Sequence, residues 1–325
     1  YFDEYDSETA LIKAERRVTP IKKFSYGFGA EYKHDSGSFT DNGSWSTPST
    51  KGNINNIGFF GNAGYNFSED TILSIYGRGD SHKTTKFNPT YKLNLTKFFG
   101  NLKVGLTRST ALRNPSLYEL YGNNGRTDSY KHVANPNADP EKSETNELTL
   151  KYTFNNFLSF ENTFYRTSIE NPLLYDGSYN GGSGYTNNEN DLKQDGIENN
   201  LIFNNDSHRI KFYNTISSSK QTNGAHQLNR PNSNYGINYG LTIDDSLIGP
   251  FSINYNYKHY GKSFDYAPTV QKVDSTDIMN LSISKITDKG IFRLHITNLT
   301  DENYQRPYGY SQNGRMIKYG FKNSF

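Results

Sequence analysis

The sequence predicts an all-β protein, an antiparallel up-and-down transmembrane β-barrel, and three observations carry that reading. The first is composition. Of 325 residues only 33% are hydrophobic, yet 15% are aromatic, with 26 Tyr and 21 Phe. Ordinary globular chains run nearer to about 45–50% apolar, and disordered chains are poor in aromatics. A chain that is polar and ring-rich at once suits a wall with one wet face. The second observation is alternation with period 2 in runs of about ten residues, the length of a tilted bilayer-spanning strand. The third is a regular exchange of short turns with long polar loops, the layout of barrels with short turns at one rim and long loops at the other.

Taken in order, the runs begin near 10–18 and 24–33. In the second, Phe24, Tyr26, Phe28, Ala30 and Tyr32 share one face and Ser25, Gly27, Gly29, Glu31 and Lys33 the other. Strands follow near 57–67, 71–82, 88–98 and 102–110, then 146–155, where Leu148, Leu150, Tyr152 and Phe154 alternate with polar residues. The rest fall near 157–168, 196–204, 207–219, 234–243, 251–262, 274–286, 290–298 and 313–325. Short turns such as Ser68–Asp70, Phe99–Asn101 and Asn205–Asp206 carry the Gly, Asn and Asp that tight turns prefer. Long polar loops are expected at 34–56, 111–145, 169–195, 220–233, 263–273 and 299–312. Helical patterning is nearly absent.

Other classes fall away. There is no Cys, which removes disulfide scaffolds and thiolate metal sites. No apolar run reaches the roughly 18 residues of a membrane helix. Net charge is +2 with acids and bases interspersed, so no basic stripe suggests nucleic acid. No Ser/His/Asp set, phosphate loop or zinc motif is visible, and an enzyme is not expected. Neither is a bound cofactor or metal. A soluble β-sandwich would also alternate, but its strands average about five or six residues. Fifteen strands is an odd count, whereas a bacterial single-chain barrel needs an even one. The first strand also runs toward the short-turn rim. The chain is therefore expected to be partial, with residues 1–325 forming one barrel domain that lacks its N-terminal portion.

Five segments resemble TonB-dependent receptors of Gram-negative outer membranes, in that family's order. They are YGRGDSHKTTKFNPTYKLNL (76–95), LRNPSLYELYG (112–122), NPNADPEKSETNELTLKY (135–152), KQDGIENNLIF (193–203) and the closing HITNLTDENYQRPYGYSQNGRMIKYGFKNSF (295–325). Positions that match the family's motifs include Arg113, Pro115, Asn135, Pro136, Asn298, Gly314, Arg315 and the terminal Phe325. The resemblance implies a barrel of about 22 strands closed around a plug, of which these would be the last fifteen, with the plug domain absent. It also implies an active-transport receptor for cobalamin, a ferric siderophore or haem, driven through TonB. The implied partners are outer-membrane lipid, TonB by way of the missing N-terminal region, the barrel-assembly machinery and a small nutrient ligand. A passive porin is the alternative, and a secreted β-rich adhesin a more distant one.

Candidate ligand contacts lie on the long loops. Tyr118, Tyr121, Arg126 and His132 fall in 111–145, Tyr175, Tyr179 and Tyr185 in 169–195, and Arg306, Tyr308 and Tyr310 in the last loop. Tyrosines on adaptable loops cover a ligand's apolar face while their hydroxyls bond its polar edge; Tyr at strand ends equally builds a membrane-interface girdle. By resemblance to haem receptors His132 is open to a role as an iron ligand, against its being an ordinary loop histidine. Glu141, Glu144 and Glu147 read as solvated charges on a loop leading into a strand.

Overall fold

The computed structural model describes residues 3–21, 23–41, 50–122, 132–225, 227–228, 230–244, 249–266 and 270–323. Its strands are β1 (Asp3–Ile21), β2 (Phe24–Asp41), β3 (Thr50–Ser68), β4 (Thr71–His82), β5 (Lys86–Phe99), β6 (Leu102–Arg113), β7 (His132–Val133), β8 (Glu141–Thr153), β9 (Leu158–Glu170), β10 (Leu173–Asp176), β11 (Ser183–Asn187), β12 (Leu192–Asn204), β13 (His208–Gln221), β14 (Ser233–Ile243), β15 (Phe251–Tyr260), β16 (Ser263–Tyr266), β17 (Val270–Val273), β18 (Thr276–Thr287), β19 (Gly290–Thr297) and β20 (Met316–Lys322). Among the described residues one short α-helix, α1 (Leu117–Tyr121), and a single 3-10 turn at Tyr179–Gly181 interrupt them. No described helix is long and apolar enough to cross a membrane.

Fifteen strands form one sheet in the order β1-β2-β3-β4-β5-β6-β8-β9-β12-β13-β14-β15-β18-β19-β20. These are the fifteen expected from period 2, each in its place. The five remaining strands belong to the long loops: β10, β11 and β7 make a small sheet, and β16 pairs with β17. One expectation is corrected. Much of 34–56, read as loop, continues β2 to Asp41 and starts β3 at Thr50, with Lys33↔Asn56 through Phe39↔Thr50 in register. Phe39 and Ile54 are the only apolar side chains in 34–41 and 50–56, so no hydropathy alternation marks these residues as strand.

Register sorts the side chains by face, because directly opposed residues point the same way. In β2–β5, Phe28↔Gly61, Tyr32↔Ile57, Ala63↔Ile75, Ile75↔Leu93 and Leu73↔Leu95 form one apolar face. Glu31↔Gly58, Gly58↔Asp80 and Asp80↔Asn88 run along the other. There Arg78 bonds Asp80 at 2.6 Å and Glu31 at 3.0 Å. Farther along, Ile210↔Tyr239, Tyr239↔Tyr255, Tyr255↔Leu281, Leu281↔Ile296 and Ile296↔Ile317 make an apolar ladder. Lys211↔Asn238, Asn238↔Asn256 and Asn256↔Asn280 make the polar one beside it. The apolar face is bare: Phe28, Phe59, Phe87, Phe292 and Tyr319 are all exposed, Tyr319 to 91%.

The chain divides into two compact units, one of 1–97, 105–146 and 167–193, the other of 98–104, 147–166 and 194–325. The buried apolar cluster, Ile54, Leu120, Ala138 and Leu173 with Leu117, Tyr121 and Tyr185 against it, lies wholly in the first. It sits on the polar face at the loop end of β2 and β3, where α1 docks. Gly52 makes room, since a Cβ there would run into the Tyr121 ring, and a Cβ on Gly37 would stand 3.2 Å from Leu117 Cδ1.

Candidate functional site

The first unit's loop cluster is built around Arg113 at the end of β6. Pro115 cannot extend the ladder because it lacks an N–H, so the chain turns, and Ser116 caps α1. The Glu119 N–H donates to Ser116 Oγ at 3.3 Å and the Ser116 N–H to Glu119 Oε2 at 2.7 Å, a reciprocal capping box. Arg113 then clamps two carboxylates: Nη1 lies 3.0 Å from Glu119 Oε1, and Nε 2.6 Å from Glu141 Oε2. The other Glu141 oxygen accepts the Leu173 N–H at 2.7 Å, so one guanidinium ties α1, β8 and β10 together. Glu141, read from sequence as solvated, is thus a structural link. Its carboxylate is held by an ion pair that no local pattern announces.

Asn135 extends the clamp. Its N–H donates to Glu119 O at 3.1 Å and its Nδ2 to Tyr185 O at 2.9 Å, while Pro136 beside it is exposed. Asn187, which sequence reasoning missed, receives the Asp139 N–H and donates to Asp139 O and Asn171 O. A lone Asn in an Asn-rich chain carries no signal. Ser116-x-x-Glu119 was legible as a capping box.

His132 lies inside this framework at 6% exposure. Its ring stacks on Tyr118, centroids 4.1 Å apart and planes 16° apart, and meets Tyr185 at 5.4 Å. Tyr118 in turn packs edge-on against Phe39 and Tyr5, and Tyr175 against Tyr185. His132 Nε2 is buried with no hydrogen-bond partner among the described residues. Burial pushes the imidazole pKa down, with the Glu119 charge acting the other way. Tyr118 and Tyr185 thus enclose the ring. Of the other tyrosines, Tyr121 donates to Asn53 O at 2.9 Å, the Tyr179 ring lies over Gly184, and Tyr175 is exposed. Arg126 lies outside the described residues.

In the second unit the last loop has its own framework. Asn298, at φ +50°, donates through Nδ2 to Glu302 O and Asn313 O and accepts the Glu302 N–H at 2.8 Å. The Arg315 N–H donates to Asp301 Oδ1 at 2.6 Å, beside Gly314. Asn298 thus satisfies loop backbone with its side chain, and Asp301 satisfies the backbone of Arg315, which is itself exposed. Arg306 Nη2 donates to Gly261 O at 2.8 Å and the Tyr308 N–H to Asp265 Oδ2 at 2.8 Å. Tyr308 and Tyr310 are exposed, Tyr310 to 68%. Phe325 lies outside the described residues.

A family profile described as TonB dependent receptor-like, beta-barrel, matches residues 3–299. No curated protein sequence matches the chain. Among solved structures, the siderophore receptor PirA from Acinetobacter baumannii is similar at 14% identity over 99% of this chain and 55% of that one, with TM-score 0.74. The ferripyoverdine receptor of the Pseudomonas aeruginosa outer membrane, bound to ferripyoverdine, is similar at 13% identity over 98% and 48%, with TM-score 0.73. The FrpB iron transporter from Neisseria meningitidis, in its F5-1 variant apoprotein form, gives 11%, 98%, 56% and 0.75. The fold is therefore that of the β-barrel in these structures, and the chain spans about half their length. It belongs to the TonB-dependent receptor family, within that family's β-barrel.

Proposed function

We propose that this chain forms the ligand-selecting wall of a receptor in the outer membrane of a Gram-negative bacterium. The receptor captures a large, scarce nutrient and imports it with energy drawn through TonB. One observation carries the reading: the loop end of the polar face is built. Arg113, Glu119, Glu141 and Asn135 hold an aromatic cluster in fixed geometry there, and Tyr175 is left exposed beside it. A pore that passes small solutes by diffusion has no use for such a platform, whereas a receptor needs pre-organised rings to bind a bulky ligand. Of cobalamin, ferric siderophore and haem, the ferric siderophore is favoured. Two of the structurally similar proteins reported above are described as receptors of such ligands or bound to one, and His132 is enclosed. Outer-membrane lipid against the bare apolar face and the barrel-assembly machinery complete the partners.

The test is uptake of radioiron as ferric chelates by cells that carry the complete gene product and lack their own receptors, with and without TonB. Saturable uptake that needs TonB is expected. Uptake that rises linearly with concentration and ignores TonB would make the protein a porin, and TonB-dependent uptake of cobalamin alone would replace the ligand class.

A further inference from the structure

On the polar face at the loop end of β15, two cations share one aromatic ring. Lys258 Nζ lies 4.2 Å from the Tyr260 ring centroid, and the Arg306 guanidinium carbon 4.7 Å from it. Lys258 and Tyr260 alternate with the apolar-face residues Tyr257 and His259, so they point with Asn254 and Asn256 to the wet side. Tyr213 lies over Gly236, directly opposite Lys258.

No described carboxylate pairs with either cation. Asp265 receives the Tyr308 N–H, Asp277 holds His259 at 2.8 Å, and Asp274 lies 3.8 Å from Lys272. Arg306 spends one nitrogen on Gly261 O, while its Nε is buried with no partner among the described residues. Two cations held together by a phenol ring, with donor capacity unspent and no acid among the described residues to neutralise them, are costly unless an anion completes them.

We propose that Lys258 and Arg306 form a subsite for an anionic group of the transported ligand, so that the receptor takes negatively charged ferric chelates in preference to neutral ones. The inference rests on the receptor reading above and names its substrate class. Arg306 supplies a planar fork suited to a carboxylate or to the paired oxygens of a catecholate, Lys258 adds a mobile point charge, and Tyr260 holds both in place.

The experiment measures binding of three probes to the complete gene product in detergent: ferric citrate, an anionic ferric tricatecholate and a neutral ferric trihydroxamate. In the unaltered protein the anionic probes bind more tightly, and rising salt weakens them while leaving the neutral one unchanged. With Lys258→Gln and Arg306→Gln together, Kd for the anionic probes rises about tenfold or more and that for the neutral probe holds. Arg306→Lys keeps the charge but loses the fork, and falls between. Equal weakening of anionic and neutral probes, or no weakening, overturns the subsite. A lipopolysaccharide-phosphate site is the outcome if the double variant changes retention of added lipopolysaccharide and no chelate affinity, and that also overturns it. TonB-dependent uptake of the neutral chelate alone would defeat this inference and leave the receptor reading standing.

Discussion

At the residue scale, polar side chains do the work that apolar packing does in a soluble core. Arg113 is half exposed, yet it joins Glu119 and Glu141, whose side chains are only 10% and 19% exposed; such a pair matters because either carboxylate left alone would be a poorly solvated charge. His132 is the most exposed to consequence. Its pKa is lowered by burial, so the folded loop binds fewer protons than the unfolded one. A histidine depressed in this way contributes stability that is present above its unfolded value of about 6.5 and is lost as pH falls below it. Amide exchange at residues 132–133 and 183–187, corrected for intrinsic rates, should quicken between about pH 7.5 and pH 5. His132→Phe keeps the stacked ring and removes the proton, so its exchange should be flat. Unchanged protection in the unaltered protein over that range would show that the imidazole takes up its proton in place.

At the element scale, α1 is the piece on which the loop cluster turns, and it docks because Gly52 offers no side chain. Gly52→Ala should force the Tyr121 ring aside, break its hydrogen bond to Asn53 O, and cost about 1–3 kcal/mol by overpacking. Tyr121→Ala in the same chain should recover part of that loss, and Gly77→Ala, with nothing near its added methyl, should be close to neutral. Thermal melts of the unaltered protein, these three variants and Tyr121→Ala alone decide it; an additive double variant would mean that Gly52 and Tyr121 do not oppose each other. The same element shows what sequence makes legible. The runs at Phe24–Tyr32 or Tyr235–Ile243 announce themselves because one face is apolar and the other wet. Five residues of α1 are too few to show a 3.6 period, and only the Ser116–Glu119 spacing betrays them. The Glu141–Arg113–Glu119 clamp spans 28 residues, so its partners meet only through the sheet. Asn298 and Arg315 were visible as motif positions, but not as the backbone staples they are.

At the scale of the whole molecule, the question is what the apolar face meets. In β2–β5, and separately in the sheet strands β13–β15 and β18–β20, rings and branched chains share one exposed face, an apolar surface that soluble monomers rarely leave in contact with water. The buried apolar cluster, by contrast, is confined to a loop end. Lipid is the solvent that suits this inversion. Phe28, Leu150, Tyr239, Ile253 and Ile283 are expected on the lipid side, and Glu31, Lys151, Asn238, Asn254 and Ser284 on the lumen side. Register places Tyr239, Ile253 and Ile283 on one ladder face and Asn238, Asn254 and Ser284 on the other. A guanidinium near the bilayer midplane costs roughly 2–4 kcal/mol on the lipid face of a barrel and little inside it. Ile253→Arg and Ile283→Arg should therefore lower unfolding free energy by that amount in a denaturant titration of the complete protein in lipid. Asn254→Arg and Ser284→Arg, one residue along the same strands, should stay within about 1 kcal/mol. Neighbouring residues make the comparison sharp, since they differ in face and hardly in depth. Equal tolerance on both faces would mean that the sheet is wet on both sides, and the lipid assignment would fall with it.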